Sequence, residues 1–233
     1  MQIITPIIIL LLVLMSCKKE EPVTEGGSAA KPIGAAGADV QDVEGNVYRT
    51  VVIGLQTWMA DNLKTSHYAN GDTILSGRNI GDITGVSNPQ YFFYPGNDSL
   101  TNLNTYGRLY TYYVVEDARN VCPTGWRIPT KSDWDTLVQN VGGDVTGGGK
   151  LKSTSLWNAP NTGADNLSSF NALPAGFREA NNEYQHLNRF GGWWTSTADT
   201  ANRVWTYYLK HNYSYVFEEP SEKKEAYSIR CIK

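Results

Sequence analysis

From Ile7 to Met15 every side chain is apolar, a run of nine residues. That is too short to span a bilayer, which needs about 20 residues, and it suits the hydrophobic segment of a secretory signal peptide over residues 1–16. Apolar pattern then disappears. "PVTEGGSAAKPIGAAGAD", residues 22–39, carries too few large apolar side chains to offset its ordering entropy, so residues 17–40 read as a flexible tether. About 20 residues of such coil span roughly 25 Å. One folded domain is expected over residues 41–233. Val47 to Ile53 is dense in β-branched residues and, after Gly54, Leu55 to Met59 resumes the run, predicting a hairpin with Trp58 toward the core. Residues 65–105 are rich in Gly, Asn, Asp and Ser, with "YFFYP" as an apolar island, and predict long loops. "YGRLYTYYVVEDARN" fits neither period cleanly and is read as a helix. In "CPTGWRIPTKSDWDTL", residues 122–137, Thr130 and Asp133 have capping-box spacing, and Trp134, Leu137, Val138 and Val141 form one helical face. Gly142-Gly143 ends that helix, and a short second one is expected over residues 149–154. Beyond it, "FNALPAGFRE", "GGWWTST", "RVWTYYLK", "YSYVFEE" and "AYSIRCIK" read as short strands between polar turns.

Composition narrows the class of function. A net charge of −3 without any Lys/Arg stripe gives no footprint for nucleic acid. Ser16-Cys17, placed directly after the apolar run, resembles the lipobox of bacterial lipoproteins, although no Lys or Arg precedes the run. The resemblance implies cleavage before Cys17 and acylation of that residue, with the membrane as partner through the lipid anchor. Lys18-Lys19-Glu20-Glu21 is similar to the export tract of Bacteroidetes lipoproteins, which implies an outer-membrane location facing the cell surface. With Cys17 acylated, Cys122 and Cys231 remain as a disulfide pair in an oxidising compartment, 109 residues apart.

Six motifs in order, "WMADNL", "YGRLYTYY", "CPTGWRIPTKSDWDTL", "LPAGFRE", "GGWWTST" and "YSIRCIK", resemble the Fibrobacter succinogenes major paralogous domain over about residues 42–233. The resemblance implies an α+β, C-type-lectin-like fold shared with formylglycine-generating enzymes, whose motifs are similar to Arg127-Ile128-Pro129-Thr130 with Trp134, and to Arg230-Cys231. Such a fold hosts lectins, oxidases and protein binders, so function has to be read from the site.

Copper oxidase chemistry needs two thiols in the C-terminal half, and only Cys231 is there. Calcium-dependent sugar binding uses Glu-Pro-Asn or Gln-Pro-Asp with Trp-Asn-Asp, and none of these strings occurs. No cofactor or metal site is expected. His67, His186 and His211 lie in polar, loop-like stretches and read as surface residues, and Arg127 and Arg178 as structural hydrogen-bond donors. The aromatic series Trp205, Tyr207, Tyr208, Tyr213, Tyr215 and Phe217 is the strongest binding signal, because sugars stack on exposed rings. Alternation puts Tyr208 on the face opposite Tyr207, and Trp194 opposite Trp193. Tyr208, Tyr213, Tyr215 and Trp194 are the expected ligand-binding residues. The expected role is non-enzymatic binding of a glycan or a protein at the cell surface, with a structural or adhesive protein as the alternative.

Overall fold

The computed structural model describes residues 1–2, 33–97 and 101–233. The chain divides into two compact units, residues 1–30 and 31–233. Of the first only Met1 and Gln2 are described, both exposed. Cys17 and the signal segment lie outside the described residues, as does most of the tether.

The second unit opens with β1 (Ile33–Ala36), β2 (Val40–Gln41), β3 (Val47–Tyr48), β4 (Thr50–Ile53) and β5 (Gln56–Met59). There follow β6 (Leu75–Ser76), β7 (Tyr91–Phe93), α1 (Thr101–Tyr106), β8 (Leu109–Thr111) and α2 (Tyr112–Val115). Two longer helices come next, α3 (Lys131–Asn140) and α4 (Asp144–Leu151). The remainder holds β9 (Phe177–Arg178), β10 (Tyr184–Gln185), β11 (Phe190–Ala198), β12 (Arg203–Lys210), β13 (Phe217–Glu222) and β14 (Ala226–Tyr227). The fold is α+β and mostly β. One sheet runs β1-β4-β5, one β10-β9-β14-β8-β7-β6, one β11-β12-β13, and β2-β3 forms a ribbon. Among the described residues no helix is long and apolar enough to cross a membrane.

Three sequence readings are corrected. Residues 33–36, assigned to the tether, pair with β4, Ala35 opposite Val52 and Ala36 opposite Val51. An edge strand is held through its backbone and needs no large side chains, which is why its composition resembled a linker. Gly34 adopts a φ of +80°, and any Cβ there would meet the Leu167 and Ser168 backbone. The folded domain therefore begins by Ile33, earlier than residue 41. The "YGRLYTYYVVEDARN" stretch is a strand followed by one helical turn, β8 then α2, which explains why neither period fitted. Between residues 65 and 105 the expected loops are interrupted by β6, β7 and α1.

The β11-β12-β13 sheet carries the architecture. Trp193, Tyr207 and Leu209 face a cluster with Trp58, Trp134 and Phe170. Trp194, Val204 and Tyr208 face a second cluster with Tyr110, Phe190 and Tyr227. Both faces of β11 and β12 are thus core. Helix α3 closes the first cluster, entering through a capping box in which Thr130 Oγ1 accepts from the Asp133 N–H (3.1 Å) and Asp133 accepts from the Thr130 N–H (2.7 Å). Arg127 donates to both carboxylate oxygens of Asp133, at 2.6 and 2.9 Å.

The motifs meet in a buried polar network. Asn62 Oδ1 accepts from Trp193 Nε1 (2.9 Å) and Arg230 Nε (2.8 Å), while its Nδ2 donates to the Tyr106 carbonyl (2.9 Å). Arg230 also donates to the carbonyls of Phe170 and Asn171. Cys122 and Cys231 form a disulfide with Cα atoms 5.9 Å apart, tying the segment before α3 to the C-terminal stretch.

Candidate functional site

Between β12 and β13 the chain makes a loop over residues 211–216 that lies against α4. Its approach depends on glycine: a Cβ at Gly148 would collide with the carbonyl oxygens of Ser214 and Tyr215. With no side chain in the way, Gly149 N–H donates to the Ser214 carbonyl (3.1 Å), and Val216 N–H donates to the Asp144 carbonyl (2.8 Å). The second helix expected at 149–154 is found earlier, at 144–151, and it contains Gly147, Gly148 and Gly149 despite their low helix propensity.

Lys152 fastens the loop from below. It is fully buried, and its ammonium donates to the carbonyls of Tyr213 (2.8 Å), Thr162 (2.9 Å) and Lys210 (3.3 Å). Burial lowers its pKa to about 8. On the far side, His211 N–H donates to the Arg189 carbonyl (2.9 Å), and His211 Nδ1 donates to the Ala159 carbonyl (3.0 Å).

This scaffold presents aromatic rings to solvent. Tyr213 is 44% exposed and Tyr215 43%. Their centroids are 5.9 Å apart and lie 5.6 and 5.9 Å from Phe217. Phe217 stacks on Tyr208 at 5.2 Å, and Tyr208 stacks on Phe190 at 5.1 Å. A continuous file of rings therefore runs from the core to the surface. Beside it lies a pocket of about 220 Å³ lined by His186, Arg189, Phe190, Lys210, His211 and Asn212. Lys210 Nζ lies 5.3 Å from the ring centroids of both Tyr208 and Phe217, joining pocket and rings.

Of the four residues expected to bind ligand, Tyr213 and Tyr215 are on the surface and two are not. Trp194 is 0% exposed, its Nε1 donating to the Tyr110 carbonyl (2.7 Å), and Tyr208 is 8% exposed between two rings. The expectation assumed one core beneath the sheet, whereas a core on each face leaves no outward side for either residue. Tyr208 supports the site as the ring beneath Phe217. Lys210 was legible on the same strand face as Tyr208. Arg189 and His186 come from another loop, brought in by the pairing of Phe190 with Lys210, which no local pattern announces.

Other polar clusters are internally engaged. Near α3 a pocket of about 230 Å³ holds Asp135, Asp144 and Glu218. Lys131 Nζ bridges Asp135 (3.1 Å) and Glu218 (2.7 Å), and Tyr207 donates to Asp135 (2.5 Å). Burial, together with these carboxylates, pushes the Tyr207 hydroxyl far above its usual range. Next to the disulfide, Ser66 Oγ (2.6 Å) and His67 Nδ1 (2.5 Å) both meet one oxygen of Glu44 and lie 3.4 Å from each other. A cleft of about 510 Å³ contains Arg203, Lys223 and Lys224, but these donate to the Pro220 carbonyl, the Glu116 carboxylate and the Thr84 carbonyl. Among the described residues no three His, Cys, Asp or Glu side chains gather as a metal site.

A family profile described as the Fibrobacter succinogenes major domain matches residues 51–233. No curated protein and no solved structure gives a significant match.

Proposed function

This chain belongs to the Fibrobacter succinogenes major domain family, and we propose that it is a cell-envelope lipoprotein whose domain, C-type-lectin-like in arrangement, binds a glycan without catalysing a reaction. The observation that carries this reading is the exposed Tyr213–Tyr215 pair, backed by Phe217 and set beside a polar pocket. A pyranose offers apolar C–H faces to such rings and hydroxyls to donors and acceptors around them. A protein-binding surface would instead favour a broad, flat apolar patch. The apolar run ending in Ser16-Cys17 supports an acyl anchor on Cys17 in the outer membrane, with the domain facing the cell surface.

The test is a glycan array probed with the purified chain and with a Tyr213→Ala/Tyr215→Ala variant. Both residues are exposed, so the variant should melt within a degree or two of wild type while losing the signal. A broad array that stays silent with wild type overturns glycan binding and moves attention to a protein partner. The anchor is tested separately by growth with an alkyne-tagged fatty acid: label should enter the wild-type chain and be absent from Cys17→Ser.

A further inference from the structure

We infer that the pocket between Arg189 and Lys210 seats the carboxylate of an acidic sugar, so that the glycan bound at Tyr213 and Tyr215 carries uronate residues. This rests on the glycan-binding reading and adds the ligand's charge to it.

The pocket is lined by two full cations, two imidazoles, the amide of Asn212 and the ring of Phe190, with no carboxylate. Several basic side chains elsewhere are ion-paired, among them Arg119 with Asp117 (2.8 Å), Arg127 with Asp133 (2.6 Å) and Lys131 with Glu218 (2.7 Å), while Arg203 and Lys224 donate to carbonyls. Neither Arg189 nor Lys210 forms an ion pair among the described residues, although the chain as a whole carries a net charge of −3. Two like charges beside an apolar wall focus a positive potential into the pocket, which an anion relieves. The arginine fork matches a carboxylate with two parallel N–H donors.

Placement supports the same ligand. Arg189 is fixed by its carbonyl to the His211 N–H, and Lys210 lies opposite Phe190 in the β11-β12 pairing. Lys210 Nζ sits over Tyr208 and Phe217, between the pocket and the exposed tyrosines. The carboxylate of a uronic acid projects from the edge of the sugar ring. One residue can therefore lay a face on tyrosine and direct its charge sideways to the cations. A sulfate ester offers similar anionic chemistry, and the test separates the two.

Calorimetry would compare the purified chain with oligogalacturonate, its fully methyl-esterified form, a sulfated galactan and polyglutamate. Esterification removes the charge while keeping the ring. The inference expects oligogalacturonate to bind at least tenfold more tightly than the ester. Arg189→Gln should abolish the preference for acid over ester. Tyr213→Ala should weaken both. Equal binding of acid and ester, both lost in Tyr213→Ala, overturns the carboxylate seat and leaves the glycan reading intact. Tighter binding of the sulfated galactan, or equal binding of polyglutamate, overturns it in favour of a sulfate or of charge alone. Failure of wild type to bind either galacturonate form also overturns it, while the array decides the wider reading.

Discussion

Trp134 touches four other rings: Trp58 edge-on at 5.1 Å, Tyr207 stacked at 5.1 Å, and Phe170 and Trp193 at 5.8 Å. Truncating such a buried side chain removes transfer energy and leaves a cavity, so Trp134→Ala should lower unfolding free energy by about 3–5 kcal/mol. The indole N–H complicates the sum in an informative way. It is buried with no hydrogen-bond partner among the described residues, and an orphaned donor carries a desolvation penalty of about 1–3 kcal/mol. Trp134→Phe keeps an aromatic ring and sheds the orphan, so it should be markedly milder than the alanine variant. Urea denaturation of the two settles the point; equal losses would mean that the indole nitrogen has a partner after all. Lys152 is a different kind of buried residue, acting on the site through the backbone it holds. Lys152→Met should weaken glycan binding while leaving every exposed ring chemically intact, and amide exchange in residues 210–216 should rise with it.

Helix α3 shows what local chemistry can specify. Its start rests on Thr130 and Asp133, and Thr130→Ala should cost about 1 kcal/mol. Asp133→Ala should cost more, because Arg127 loses its carboxylate as well, a difference that thermal melts of the two variants would display. Elements of this kind were legible in the sequence: α3, the β4-β5 hairpin and the strands β11 and β12, each announced by a cap, a turn or a clear period. The disulfide was legible too, through the pairing left once Cys17 was set aside. What escaped depends on partners distant in sequence. Strand β1 exists because β4 has an open edge, and α4 carries glycines where the backbone of Ser214 and Tyr215 lies on Gly148 and that of Gly163 on Gly149. The exposure of Tyr208 and Trp194 was misread for the same reason, since alternation assigns faces but does not say what covers them. Half of the site was therefore visible, the tyrosines on their loop. The other half, Arg189 and His186, arrives from the neighbouring segment only when the sheet is paired.

On the scale of the whole domain, the Cys122–Cys231 bond spans 109 residues. In the chain-entropy model its loss costs about 4–5 kcal/mol, so a Cys122→Ala/Cys231→Ala variant should denature at clearly lower urea than wild type. Acid should act on the domain as well. Burial alone would raise the Glu44 carboxyl, but hydrogen bonds from Ser66 and His67 outweigh it and hold the pKa at about 2 against a usual 4.5. The Arg119 side chain likewise holds Asp117 at about 2. Asp133 is also lowered; burial opposes the shift, and Arg127 and Thr130 outweigh it. Between pH 4.5 and 2 the unfolded chain binds more protons than the folded one, so stability is full above this window and falls as pH drops through it. Glu225, raised by burial, works in the opposite direction. The urea midpoint should fall below pH 4.5, and less steeply in Glu44→Gln; a parallel fall would remove Glu44 from the account. The pin beneath the site has a last consequence. Lys152 grips carbonyl oxygens, which every amino acid possesses, and the side chains at positions 211–215 are absent from the clusters that hold the sheet. Apart from His211 and Ser214, whose side chains donate to the Ala159 and Val145 carbonyls, selection can therefore rewrite these positions, and with them the chemistry of the exposed face, while the same backbone path is inherited unchanged.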